Sequence, residues 1–377
     1  MKKLLVAILA LIIALVSVSG LAETQFDGQI TIGIITGITG AAALGGERAT
    51  KGVTLAAEQI NAAGGVLGKE LVIQIEDDGG TQAGALNVMN KLIGEGAAVV
   101  IGPLLSTNVI ACEQAVREAG IPNLVLGTSP TIYDLDNPYI FRIRPSDTIT
   151  AGAAAQFMYE NLGLRKIGLL TNTEDHGTGA LDVMMSYYNT KDDVEIVQEP
   201  FNVGDRDLTA QLLSFTNSGV EGIIYWGHEA EVTLLARQVE ELGIDIPILT
   251  SASLPQVLNA VTAEQIDGWY VAIDMSITNE TPAMKQYVED FQERWGELPE
   301  LHSSAYYGGV MLAVDAITRA GSTDSEAICQ ALRETKDFEM VLGNYTWHEN
   351  NDMLSGCVVI QYDSEMNESV AASVTVE

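Results

Sequence analysis

Four histidines, His176, His228, His302 and His348, are the scarce titratable groups of a 377-residue chain. Imidazole changes charge near neutrality and ligates metals, so each is a candidate for chemistry. His176 and His228 fall in loops that follow strand-like runs, and His302 precedes a helix-like one. Three imidazoles meeting in one cleft could hold zinc. Taken singly, each has a plain role as a surface or packing residue. "HEAE" from His228 is not the H-E-x-x-H of a metalloprotease. Neighbouring carboxylates occur in "EDDGG" (76–80) and "TEDHG" (173–177). Nothing in the sequence raises the pKa of one member, so they read as turn residues and helix caps rather than an acid and a base. Ser106 and Thr107 stand between the strand-like "AAVVIG" and the helical "TNVIACEQAVREAG". A hydroxyl there predicts a helix cap. The same place aims backbone N–H groups and a positive dipole end at whatever lies in front of it, which suits a carboxylate.

Other chemistries lack their patterns. No G-x-S-x-G occurs; "GTSPT" puts Ser129 on a loop after a strand with the wrong neighbours. "GERATKG" has a lysine without the phosphate-loop spacing, and "GTGALD" offers only the first two glycines of a dinucleotide loop. The formal charge of −32 repels nucleic acid and anionic lipid. It reads as a solvated face that keeps a protein soluble and monomeric, and it says nothing of the ligand. A DNA-binding head would be basic and N-terminal. That place holds "MKKLLVAILALIIALVSVSGLA": two lysines, an apolar run, then small residues. This predicts a secretory signal peptide over residues 1–22, cleaved after Ala22, with no cysteine for lipid attachment. The expected product is exported, soluble and periplasmic. Three cysteines, Cys112, Cys329 and Cys357, do not make a disulfide framework and read as buried thiols, with one Cys329–Cys357 bridge formally possible.

These residues must be positioned by an alternating pattern. "ITIGIITG", "LVIQIEDD", "AAVVIG", "NLVLG" and "YIFRIR" are strand-like and are separated by helical stretches. In the first of these helices Val53, Ala56 and Ile60 share one face, and Gly64 and Gly65 stop it. The rhythm restarts at "KIGLLTN" and continues through "VEIVQEPFN", "GIIYWG", "IPILTS" and "GWYVAIDM". A helical section follows, then a last strand, "GCVVIQYD". Strands alternating with helices predict parallel sheets covered on both faces, and two such runs predict two Rossmann-like α/β lobes. Ligands of open parallel sheets bind beyond the carboxyl ends of the strands. The working edge is therefore "TGITGAAALGG", "GPLLSTN", "GTSPTIYD", "TNTEDHGTG", "WGHEAE" and "TSASLPQ".

The text "GIITGITGAAALGGERATKGVTLAAEQINAAGGVLGKELVIQIEDDGG", with "VVIGPLLSTN", "GTSPTIYDL", "YIFRIRPSD", "EDHGTGAL" and "YYGGVMLAVDAI", resembles type I periplasmic solute-binding proteins. The likeness is to the leucine/isoleucine/valine-binding group that feeds ABC transporters, and it runs from about Gln29 to the end. It implies two lobes, 25–146 with 276–353 and 147–275 with 354–377, joined by a three-stranded hinge. The crossings fall near Pro145–Asp147, Ala272–Ser276 and Asp352–Ser355. It implies a monomer that closes on a small solute, docks on a permease, performs no catalysis and needs no cofactor. By the same likeness Ser106 takes a carboxylate, Thr128 offers backbone, and Ser129 and Pro130 follow it. His176, His228 and His302 fall on aromatic positions, and Gly45 stands where some relatives place a ring. Ala252 falls where amino-acid binders carry a glutamate for the ammonium, leaving Asp147 or Glu229 as acceptors. Ligand candidates are thus Gly45, Ser106, Thr107, Thr128, Ser129, Asp147, His176, His228 and His302. Three imidazoles in place of rings imply a wetter, more cationic pocket, suited to an anion or a polar amide. An amino acid or related carboxylate is the expected ligand. Two alternatives stand beside it: an exported enzyme using a His-bound metal, and a sensory subunit that passes its ligand to no permease.

Overall fold

The aliphatic run QITIGIIT forms β1 (Gln29–Thr36), buried along almost its whole length, as a strand covered on both faces must be. In the computed structural model, which describes residues 26–40, 43–274, 281–347, 351–352 and 357–374, it is the second strand of a five-stranded parallel sheet. The order is β2-β1-β3-β4-β5, with β2 Glu70–Asp77, β3 Val99–Ile101, β4 Asn123–Val125 and β5 Ile140–Arg142. The second run builds β6 Lys166–Asn172, β7 Glu195–Phe201, β8 Gly222–Trp226, β9 Ile248–Thr250 and β10 Tyr270–Ile273, again parallel. The expected parallel α/β architecture is present in both sheets.

Three elements escaped the sequence reading. The hairpin β11 (Phe338–Met340) and β12 (Gly343–Tyr345) stands apart from both sheets. The last predicted strand is β13 (Cys357–Tyr362), but it runs antiparallel to β10, and β14 (Glu368–Val374) returns along it at the sheet edge. Alternation of apolar residues marks a strand but not its direction; direction follows from the connection that brings the chain back.

Apolar clusters sandwich each sheet. Helices Ala43–Ala62, Pro282–Trp295, Leu301–Ala320 and Ser325–Arg333 cover one face of the first sheet, and Gln82–Gly94 and Ser106–Ala119 cover the other. Helices Asp147–Gln156 and Asp175–Tyr188 cover one face of the second sheet, and Thr209–Ser218 and Glu229–Leu242 the other. Val53, Ala56 and Ile60 are buried as their spacing predicts. Helix Ala43–Ala62 lies so close to Leu301–Ala320 that a methyl group on Gly52 would sit 2.1 Å from the Ser303 carbonyl oxygen.

Cys112, Cys329 and Cys357 are free and buried, and burial pushes each thiol up to about 12. Cys329 lies in the core of the first sheet and Cys357 in that of the second. The signal-peptide reading over 1–22 and His348 lie outside the described residues, as do parts of the second and third crossings, at 275–276 and 353–355.

Gly52→Ala should destabilise the protein by about 1–3 kcal/mol, the usual range for a methyl forced into a packed contact. Urea unfolding of the variant and the parent measures this; an unchanged midpoint would mean that the two helices separate freely.

Candidate functional site

The loops beyond the carboxyl ends of both sheets face each other across a cleft of about 1150 Å3, counting its open mouth. That space suits a small solute. Gly45, Leu104, Ser106, Thr128 and His302 line one wall; Glu174, His176, Trp226, His228, Glu229, Glu231 and Ser251 line the other. Arg144, Asp147 and Asp274 close the floor where the chain passes between the sheets. The walls touch. Arg48 Nη1 donates to Gln256 Oε1 at 3.2 Å, and His302 Nε2 stands 3.7 Å from Glu229 Oε1. Gly179 leaves no room beneath Ser129 and Pro130, whose atoms would lie 2.7 and 2.9 Å from an added methyl.

Seven of the nine expected residues line this cleft: Gly45, Ser106, Thr128, Asp147, His176, His228 and His302. Thr107 and Ser129 do not. The Ser129 hydroxyl accepts from Thr131 N at 3.4 Å and caps the turn Pro130–Leu135, so it is held inside the loop. The expected helix cap by Ser106 or Thr107 is also corrected. The cap position is Leu105, which has no side-chain cap, and Ser106 is already the first helical residue. Its Oγ instead accepts from Ser129 N at 3.2 Å, which leaves the hydroxyl proton free to donate. Gly45 has no space for a ring: an added methyl would stand 3.1 Å from both His302 Nδ1 and Leu104 Cδ2.

The loop carrying Thr128 is held from behind. Arg142, fully buried, donates to the carbonyls of Thr128 and Ser129 and is paired with Asp352. Thr128 Oγ1 donates to Asp147 Oδ2 at 2.9 Å, and His176 Nδ1 lies 3.0 Å from the same oxygen. Thr150 donates to Oδ1 at 3.1 Å. Burial opposes the charge on Asp147, but His176 and the two hydroxyls outweigh it and hold the carboxyl below its usual range.

The imidazoles do not make the cationic pocket the sequence suggests. Each is set against carboxylate: His176 on Asp147, His228 on Glu174 at 3.3 Å, and His302 between Glu229 and Glu300 at 3.7 and 3.8 Å. The rings of His176 and His228 stack, with centroids 5.4 Å apart. Among the described residues five carboxylates line the cleft against one guanidinium, Arg144, which is committed to Asp274 by hydrogen bonds of 2.9 and 3.1 Å. Among the described residues, no group of three or more His, Cys, Asp and Glu side chains is arranged to hold a metal. For His228 burial works against the charge, yet the Glu174 hydrogen bond and the Glu229 and Glu231 charges prevail and raise its pKa. For His302 burial wins and lowers it.

The sequence reading missed Glu174, Trp226, Glu231, Arg144 and Asp274. Glu174 was visible as a carboxylate at a predicted working edge. Arg144 and Asp274 meet only because two crossings run side by side. "EDDGG" behaves as turn chemistry: Asp77 accepts from the backbone of Ile38, Thr39 and Gly79, and Asp78 from that of Gly80.

A folded-state pKa raised on His228 contributes stability that is present below about pH 6.5, the unfolded value, and is lost as pH rises through the folded one. The melting temperature lost in His228→Gln should therefore be larger at pH 5.5 than at pH 8.5. Thermal melts of both proteins at both values test this; an equal loss would remove the Glu174 pairing.

A model of the periplasmic binding protein family matches residues 29–364. The Leu/Ile/Val-binding protein BraC3 of Rhizobium johnstonii is 26% identical over 347 residues, covering 91% of this chain and 94% of its own. The structure of the leucine-binding protein LivK from Thermotoga maritima superposes with a TM-score of 0.85 at 24% identity, over 92% of this chain and 99% of its own. That of the branched-chain amino acid transporter substrate-binding protein LivJ from Streptococcus pneumoniae, in complex with isoleucine, does so with 0.84 at 25% identity and the same coverage. With the alternating sheets, the facing loops and the cleft between them, the chain belongs to the periplasmic binding protein family.

Proposed function

We propose that this chain is the substrate-binding component of an ABC importer and captures an amino acid or a close relative by closing two lobes on a hinge. The lobes are 25–146 with 276–353 and 147–275 with 354–377. After removal of residues 1–22 the protein works as a monomer in the periplasm and hands its solute to a permease. No described helix is long and apolar enough to cross a membrane.

One observation carries the reading of the ligand. Helices begin at the cleft from both walls, and a helix N-terminus attracts an anion. Helices Asp147–Gln156, Asp175–Tyr188 and Glu229–Leu242 each have a carboxylate of their own in the first turn. Helix Ser106–Ala119 has none and no side-chain cap. Helix Ala43–Ala62 also starts at the cleft without a first-turn acid, but only helix Ser106–Ala119 adds a cleft-lining hydroxyl there, so its first N–H groups and Ser106 are the anion site, and a ligand carboxylate belongs there. The opposite wall, filled with carboxylates, takes the ammonium, with Asp147 and Glu229 as acceptors in place of any side chain from Ala252. A buried ammonium without such a partner is costly. That BraC3 is a Leu/Ile/Val-binding protein and that LivJ holds isoleucine supports the amino-acid class.

The protein should be unfolded and refolded to strip carried-over solute, then melted with a panel of amino acids, amides and simple carboxylates. A solute at a hundredfold excess over its Kd adds about 3 kcal/mol of stability. Ser106→Ala removes one hydrogen bond to a charged group, worth about 1.5–3 kcal/mol, and should weaken that solute roughly ten- to a hundredfold. Undiminished affinity in calorimetric titration of the variant would refute the carboxylate site.

A further inference from the structure

The carboxylates of the second wall outnumber what one ammonium can answer. Arg144 and Asp274 neutralise each other. His176 and His228 stand against Asp147 and Glu174, their nearest acids, at 3.0 and 3.3 Å. Glu229 and Glu231 are then still unanswered, in the first turn of one helix. His302 is the remaining imidazole near Glu229, but at 3.7 Å it makes no hydrogen bond, and burial holds it towards its neutral form.

A separate observation falls on the same turn. Glu231 is 2% exposed and lines the cleft. Its Oε1 accepts from Gly204 N at 2.7 Å, while Oε2 has no hydrogen-bond partner among the described residues. A buried carboxylate oxygen without a donor is costly, and among the described residues the one cation lining the cleft, Arg144, is committed to Asp274. The helix dipole eases the cost for an acid in a first turn but donates no hydrogen bond to that oxygen.

We propose that the solute carries a second cationic nitrogen group, held by Glu231, so that the cleft selects a basic amino acid over an aliphatic one. This rests on the amino-acid reading above and specifies its side chain. The α-carboxylate lies at the start of helix Ser106–Ala119, the α-ammonium lies between Asp147 and Glu229, and the side-chain cation lies towards Glu231. Glu231→Gln keeps the acceptor for Gly204 N and removes only the charge, so the fold has no reason to fail.

The test uses the refolded protein at pH 7.5 with L-lysine, L-arginine, L-isoleucine and putrescine as probes, read by melting temperature and then by calorimetric Kd. L-lysine or L-arginine should bind at least about tenfold more tightly than L-isoleucine, and Glu231→Gln should erase that preference by weakening the basic amino acid. L-isoleucine binding as tightly as the basic amino acids would overturn this inference and leave the importer reading standing. No shift with any of the three cations would also overturn it, as would a basic amino acid indifferent to Glu231→Gln. Putrescine binding as well as L-lysine would uphold the cationic subsite and refute the carboxylate site instead.

Discussion

Asp147 is the group around which the cleft is organised. Its backbone N–H donates to the Thr128 carbonyl at 2.8 Å, and its carboxylate gathers Thr128, Thr150 and His176. Those partners come from the loop after β4 of the first sheet, from its own helix and from helix Asp175–Tyr188 on the second sheet. One buried charge thereby fixes the chain at the passage between the sheets and sets the two walls opposite each other. It survives burial because several donors converge on it and because it begins a helix, where negative charge is favoured.

The same logic explains why an acidic wall is tolerable at all. Asp147 and Glu174 stand at a helix start and a cap position, and each lies beside an imidazole. The dipole and the neighbouring ring together replace the lysine or arginine that a buried carboxylate usually needs. The first wall works differently. Helix Ser106–Ala119 begins without an acid, and its serine is held in place by the backbone of the adjoining loop, which Arg142 anchors from behind. The cleft is thus electrically polar from wall to wall, and a solute with separated charges has a defined orientation in it.

Among the described residues, Leu44 and Ala252 each pack against the apolar cluster of the opposite sheet, and further contacts join the walls. Arg48 reaches Gln256, His302 approaches Glu229, and Gly179 admits Ser129 and Pro130. None of them is a large apolar interface of the kind that locks domains together permanently.

Much of this was legible in the sequence. Alternating aliphatic runs and amphipathic stretches determined the parallel sheets, because burial on both faces leaves a run with no polar positions. Rules for open parallel sheets then named the loops of the cleft, and Ser106, Thr128, Asp147 and the three histidines line it. What the sequence left undecided was pairing. Composition could not say that each imidazole would meet a carboxylate, so three histidines suggested a cationic pocket where the fold made an acidic one. Glu229 and Glu231 look like ordinary first-turn acids until the facing wall is in place. Arg144 and Asp274 are 130 positions apart and meet because the chain crosses between the sheets more than once. Periodicity records which face of an element is buried. The charge of a cleft depends on which elements face one another, and only the tertiary structure decides that.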